Sequence, residues 1–158
     1  MDWKEIKTQA DADSLMDVFG GFHDSCIREA HLWTEHYVQE NLSMSCTGDL
    51  DNRMRILVQR QARNPAAIEL LFEMVTRINL VPSAENYDSI IFEATLLVKD
   101  GNIFWSPDCD ANTLSTFERE NVTSVSAKKL KWREVDWLGD ELRYGPNDNL
   151  NLDTEPKN

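Results

Sequence analysis

Two stretches in the middle of the chain alternate with a period of two, and they constrain the fold more than any other feature. Met54, Ile56 and Val58 are interleaved with Arg55, Leu57 and Gln59, and Ile68, Leu70, Phe72 and Met74 with Glu69, Leu71 and Glu73. Successive side chains of an extended chain point to opposite faces, so each stretch reads as a strand with a buried face. Between them, Ala62-Arg63-Asn64-Pro65-Ala66 carries an Asn-Pro turn signal, which makes the pair a hairpin. The expected register sets Arg55 opposite Glu73, Leu57 opposite Leu71 and Gln59 opposite Glu69, because a one-residue slip would turn one apolar set to water.

Further strands follow from the same pattern. Ile90, Phe92, Ala94, Leu96 and Val98 share one face of a segment whose other face holds Ile91, Glu93, Thr95 and Leu97, so a central strand is expected there. The run Lys99-Asp100-Gly101-Asn102 supplies the Asp-Gly pair of a type I′ turn, after which residues 103–105 should pair back. Residues 122–133 give a last strand with Leu130 and Trp132 on one face, and residues 26–33 give an early one. Val38, Leu42, Met44 and Cys46 keep a period of two and read as one more strand. Helical signals are few. Asp11 or Asp13 can cap a helix through Val18 that presents Leu15, Val18 and Phe19 on one face and stops at Gly20-Gly21. Residues 113–120 could form a short helix after Asp110 or Asn112. The fold expected is α+β and mainly antiparallel β: a twisted sheet, as a roll or a sandwich, with one short N-terminal helix. Residues 1–145 are read as a single β-rich domain and residues 146–158, polar and poor in apolar groups, as a disordered tail.

A chain of 158 residues is the usual size of one domain. Its apolar runs are broken by Glu93 and Asp100 and fall well short of the roughly 20 residues that span a bilayer, so no membrane span is expected. The start, Met1-Asp2-Trp3-Lys4-Glu5, has no apolar core of a secretory signal, and a cytoplasmic location is expected. Cys26, Cys46 and Cys109, an odd count at wide spacing, are read as reduced thiols. The glycosylation-type triplets at Asn41 and Asn121 carry no meaning in a cytoplasmic chain. The formal charge of −12 disfavours nonspecific nucleic-acid binding, whose affinity comes from Lys and Arg releasing counterions, and favours a basic protein partner.

Two clusters could carry chemistry. In Phe22-His23-Asp24-Ser25-Cys26, a histidine beside a carboxylate suits a metal pair or an oriented general base. Neighbours on an extended chain point apart, however, so both face one ion only if the backbone turns there. The competing reading is a hydrogen-bonded junction. In Ser106-Pro107-Asp108-Cys109-Asp110, two carboxylates flank a thiol, and with His23 they could form a transition-metal site. No CxxC or HxxxH spacing supports it, and a capped turn explains the same acids. His31 and His36 fit no two-ligand spacing, and no nucleophile elbow, phosphate loop or dinucleotide fingerprint is present. The tryptophans, Trp3, Trp33, Trp105, Trp132 and Trp137, suit core and rim positions better than a stacking platform.

Three segments carry a resemblance: residues 19–27 (Phe-Gly-Gly-Phe-His-Asp-Ser-Cys-Ile), residues 60–65 (Arg-Gln-Ala-Arg-Asn-Pro) and residues 79–87 (Asn-Leu-Val-Pro-Ser-Ala-Glu-Asn-Tyr). Through them the chain resembles a set of small uncharacterised bacterial proteins. It is also similar to immunity proteins of bacterial toxin systems, several families of which are short and acidic and begin with a Phe-His-Asp segment. The resemblance implies no catalytic residues. The leading expectation is a non-enzymatic protein-binding module, of the immunity type against a basic toxin, with no cofactor. Asp49, Asp51 and Asp108 are the acids expected to steer the partner, and Trp33 and Trp137 the apolar anchors. The alternative is a small metal-binding protein or enzyme using His23, Asp24, Asp108, Cys109 and Asp110.

Overall fold

The computed structural model describes residues 1–108 and 120–145. In chain order the elements are β1 (Lys4–Ile6), α1 (Gln9–Val18), a 3-10 turn (Gly20–Phe22), β2 (Ser25–Trp33), β3 (Tyr37–Val38), β4 (Met44–Ser45), β5 (Arg53–Arg60), β6 (Ala67–Asn79), β7 (Thr95–Lys99), β8 (Asn102–Ser106) and β9 (Ser124–Glu134). The main sheet is open, twisted and antiparallel, in the order β2-β5-β6-β9-β8-β7, with the short β1 added beside β9. The α+β class therefore holds. β1, which nothing in the charged N-terminus had signalled, pairs Lys4 with Trp132 and Ile6 with Leu130.

Alternation places one core on one face of this sheet. Met54, Ile56 and Val58 of β5, Ile68, Leu70 and Phe72 of β6, and Leu130 and Trp132 of β9 are buried there under Ala12, Leu15, Phe19 and Phe22. The helix starts at Thr8, not at Asp11 or Asp13. The Thr8 hydroxyl accepts from the Asp11 amide at 3.2 Å, while the Asp11 carboxylate accepts from the Thr8 amide at 2.8 Å, a closed capping box. Amide donation from Lys7 and Thr8 holds the Asp11 carboxyl below its ordinary pKa. Val18, expected on the buried face, is exposed; Ala12 takes its place.

Three other expectations are corrected. The β5–β6 hairpin exists, but Arg55 lies opposite Leu71, Leu57 opposite Glu69 and Gln59 opposite Ala67, two residues from the expected register. A two-residue slip leaves every side chain on the same face, so alternation cannot detect it. The turn decides: the Arg60 amide reaches Ala66 O at 2.9 Å and Arg60 Nε reaches Pro65 O at 2.7 Å, closing the loop one step tighter. The segment 90–98 is not a central strand. Only Thr95–Lys99 is extended in the sheet, at its edge, because residues 91–94 leave it to bond across to Ser25 and Gly21. The stretch around Val38 to Cys46 is not one strand but a two-stranded ribbon, with Val38 opposite Met44. The turn at Asp100-Gly101 stands as expected, both residues at positive φ (52° and 72°), between Lys99 and Asn102. Expectations for residues 113–119 and for the tail 146–158 lie outside the described residues.

Candidate functional site

The Phe-Gly-Gly-Phe-His-Asp-Ser segment, the best candidate for chemistry in the sequence, is a structural junction. Gly20, Gly21, Phe22 and Asp24 all have positive φ, so the chain doubles back between α1 and β2. A Cβ at Gly20 would sit 3.1 Å from the Arg60 guanidinium, which in turn stacks 4.6 Å over the Phe19 ring. The carbonyls exposed by this bend are used at once. Gly21 O accepts from Ala94 N at 2.9 Å, Asp24 O from Gln61 N at 2.9 Å and Ser25 O from Ile91 N at 2.7 Å. His23 joins the same clasp: Nδ1 donates to Phe92 O at 2.7 Å and the ring meets the Phe92 ring edge-on. The backbone does turn at Asp24, bringing Asp24 Oδ2 within 3.4 Å of His23 Nε2. That pair is half-exposed, and among the described residues no group of three or more His, Cys, Asp or Glu converges as a metal site. Cys109 and Asp110 lie outside the described residues. Asp108 is held through its backbone, its amide donating to Ser106 Oγ and its carbonyl accepting from Thr95 Oγ1.

On the sheet face away from the helix lies a polar network that periodicity could not disclose. Glu69 is fully buried and accepts from Arg133 Nε at 2.6 Å, Arg143 Nε at 2.9 Å and the Tyr144 hydroxyl at 3.0 Å. Burial pushes its carboxyl up, but the donated hydrogen bonds from the two arginines and the tyrosine outweigh it, and the pKa is lowered. Burial and the neighbouring Glu69 charge push the Tyr144 phenol up. Glu29 of β2 accepts the backbone amides of Arg143 and Tyr144 at 2.6 and 2.9 Å, and Gln59 donates to Trp137 O at 2.9 Å. Residues 135–145 are thereby strapped across the face. Fully buried and bridging β6, β9 and the strap through three donated hydrogen bonds, Glu69 is an architectural group.

Trp33 and Trp137 belong to this layer and are half-buried. Trp33 packs against His31, with the Arg55 guanidinium 5.6 Å from its ring, and Trp137 lies 5.2 Å from that of Arg143. Asp51 is likewise engaged: it accepts from Thr34 Oγ1 at 2.5 Å and pairs with His36, and the Thr34 bond, then His36, hold its carboxyl below the ordinary value. Asp49 remains exposed on its loop.

Exposed apolar side chains lie elsewhere, in one group on residues 80–92 (Leu80, Tyr87, Ile90 and Phe92) and in another on the excursion of residues 34–52 that connects β2 to β5. Asp51 with Thr34 and His36, and Arg53 with Glu35, tie down its base. From there the β3–β4 ribbon carries Tyr37 (60% exposed), Val38, Leu42 (85%) and Met44 (61%). Four acids, Glu35, Glu40, Asp49 and Asp51, and no Lys or Arg occur in residues 34–52. A two-stranded ribbon is marginal in water by itself, and this one spends its apolar side chains on neither face of the core. Sequence reasoning found the segment's alternation and read it as one strand; the missing signal is that, among the described residues, no neighbouring strand covers it. Compared with protein-family models, with curated proteins and with solved structures, the chain matches none.

Proposed function

We propose that the chain is a non-enzymatic protein-binding module whose partner presents a basic surface around an apolar patch. The observation that carries this is the ribbon itself: Tyr37, Val38, Leu42 and Met44 stand exposed within a segment that has four acids and no Lys or Arg. Apolar side chains of this size supply affinity once desolvated, while the surrounding charge steers a basic partner. The contacts of His23 and Asp24 at the junction and the three hydrogen bonds that Glu69 accepts give these groups architectural roles. Immunity-type inhibition of a basic toxin in the cytoplasm is the setting suggested by the resemblance of residues 19–27, 60–65 and 79–87.

A photo-crosslinking residue at position 42, compared with one at the exposed Lys128 of β9, tests the reading in cells of the source organism. The expected outcome is a crosslink to a basic protein from position 42 only. Association with that protein should slow between about 50 and 300 mM salt, over which the field shortens. Crosslinks equal at both positions, or an acidic partner, would overturn it.

A further inference from the structure

We propose that Arg55 is a receptor for a carboxylate, held between the Trp33 and Tyr144 rings with its terminal amino groups facing outward. This goes beyond the protein-binding reading; combined with it, the carboxylate is an Asp or Glu side chain of the partner. The guanidinium lies 5.6 Å from the Trp33 ring and 5.3 Å from that of Tyr144. The His31 ring completes the cluster, 5.0 Å from Trp33 and 6.1 Å from Tyr144. Contacts with ring faces satisfy the flat sides of a guanidinium and leave the N–H donors in its plane unused. Arg55 Nε is buried without a hydrogen-bond partner, and its terminal nitrogens are not among the buried unpaired atoms, so they reach solvent. The group is thus desolvated at its stem and open at its end.

The acids around Arg55 are committed elsewhere. Its cross-strand neighbours are His31 on β2 and Leu71 on β6, neither of them an anion. Two positions along β6 on either side, Glu69 is taken by Arg133, Arg143 and Tyr144, and Glu73 by Lys131 at 2.9 Å and Arg53 at 3.9 Å. Glu29, on the same face of β2, accepts the strap amides. Arg28, Arg53, Arg60 and Arg133 of the same sheet each have an acceptor, in Asp140 O, Glu35, Pro65 O and Glu69. In a chain with 28 acids and 16 Lys and Arg, a half-buried arginine without an acceptor is a binding group left unfilled. Its two terminal N–H groups, parallel and coplanar, match the two oxygens of a carboxylate. A doubly charged phosphate is opposed by the nearby Glu29, Glu69 and Glu73 and by the net charge of −12. Trp33 immediately precedes the excursion of residues 34–52, which places the site at the foot of the exposed ribbon.

The test is a titration of the isotope-labelled full chain, followed by NMR at the Arg55 Nε–H and the Trp33 indole N–H. Sodium acetate replacing sodium chloride at constant ionic strength should move both signals saturably, and phosphate should bind more weakly than acetate. Arg55→Lys keeps the charge and loses the planar fork. Read at the Trp33 indole, its acetate affinity should fall at least about tenfold with the unfolding midpoint unchanged. Signals that do not respond to the exchange of chloride for acetate, tighter binding of phosphate, or an acetate affinity unchanged in Arg55→Lys would each overturn the site. None of these outcomes affects a crosslink from position 42 to a basic protein. Association with the protein captured there should also weaken at least about tenfold in Arg55→Lys. An unchanged association, with acetate still bound by the wild type, would overturn the partner as the source of the carboxylate and assign the site to a free carboxylic acid. Failure of the crosslink with acetate still bound would remove the functional reading and leave the carboxylate site standing.

Discussion

The two edges of the main sheet are treated differently. At the β7 edge the side-chain amide of Gln9, in the first turn of α1, acts as a piece of strand: Nε2 donates to Leu96 O at 3.1 Å and Oε1 accepts from Val98 N at 2.8 Å. One side chain thus occupies the donor and the acceptor that a neighbouring chain would use, and α1 lies over the same strand. At the β2 edge, among the described residues, Ser25 is closed by Ile91, and residues 29–33 continue towards the exposed ribbon. An open edge is a template for pairing with other chains, and the two edges meet that hazard differently: β7 is blocked by a dedicated side chain, while β2 is interrupted by the Ser25–Ile91 bridge and the bulge between Ile27 and Glu29.

The largest effect is expected from removing the group that anchors the strap next to the open edge. Glu69→Ala leaves Arg133 and Arg143 without their buried carboxylate and should cost about 3–5 kcal/mol in denaturant unfolding. Exchange of amides near Glu29 should rise while that of Val98 follows only global stability. The same carboxylate sets an acid limit. Its folded pKa lies below the ordinary 4.5, so the stability it contributes is complete above that value and is lost as pH falls through the folded pKa. The wild-type midpoint should therefore drop below pH 4.5 more steeply than that of Glu69→Gln.

Loosening the lid over the guarded edge comes next. Leu15 is fully buried beneath the helix, and Leu15→Ala should cost about 2–5 kcal/mol by transfer and cavity terms. It should raise exchange at Val98 above that at residues 29–33. A smaller and more selective opening is Gln9→Ala, which removes two hydrogen bonds and should cost about 1 kcal/mol. Its signature is faster exchange of the Val98 amide and new concentration-dependent association through β7. If association does not change, the carboxamide is not what guards that edge. The smallest effect is expected for Leu32→Ala on the open edge, within about 0.5 kcal/mol of wild type, because a half-exposed edge side chain fills no cavity.

How much of this was legible follows from the period of two. Alternation identifies the inward faces of β5 and β6 and the place of Leu130 and Trp132, since burial of one face is written into every second residue. The Asp100-Gly101 turn is legible because few other residues adopt its backbone angles without cost. Alternation is blind to a slip of two, hence the β5–β6 register, and to whether a segment has neighbours, hence residues 90–94 and the β3–β4 ribbon. Glu69 reads as a solvated residue on an outer face because its partners, Arg133, Arg143 and Tyr144, come from more than sixty positions further along the chain. His23 and Asp24 read as chemistry because adjacent titratable groups look alike whether they hold a loop or a ligand.

By itself the sequence determined the class of fold, the inward faces of β5, β6 and β9 and the net acid charge, since these depend on local periodicity and on summed charge. Tertiary structure decided which edge is sealed and which is open, which carboxylate is buried and which tryptophans are covered. Those outcomes depend on groups far apart in the chain meeting at hydrogen-bonding distance, as Gln9 meets Val98 and Glu29 meets Tyr144, and no local pattern records such a meeting.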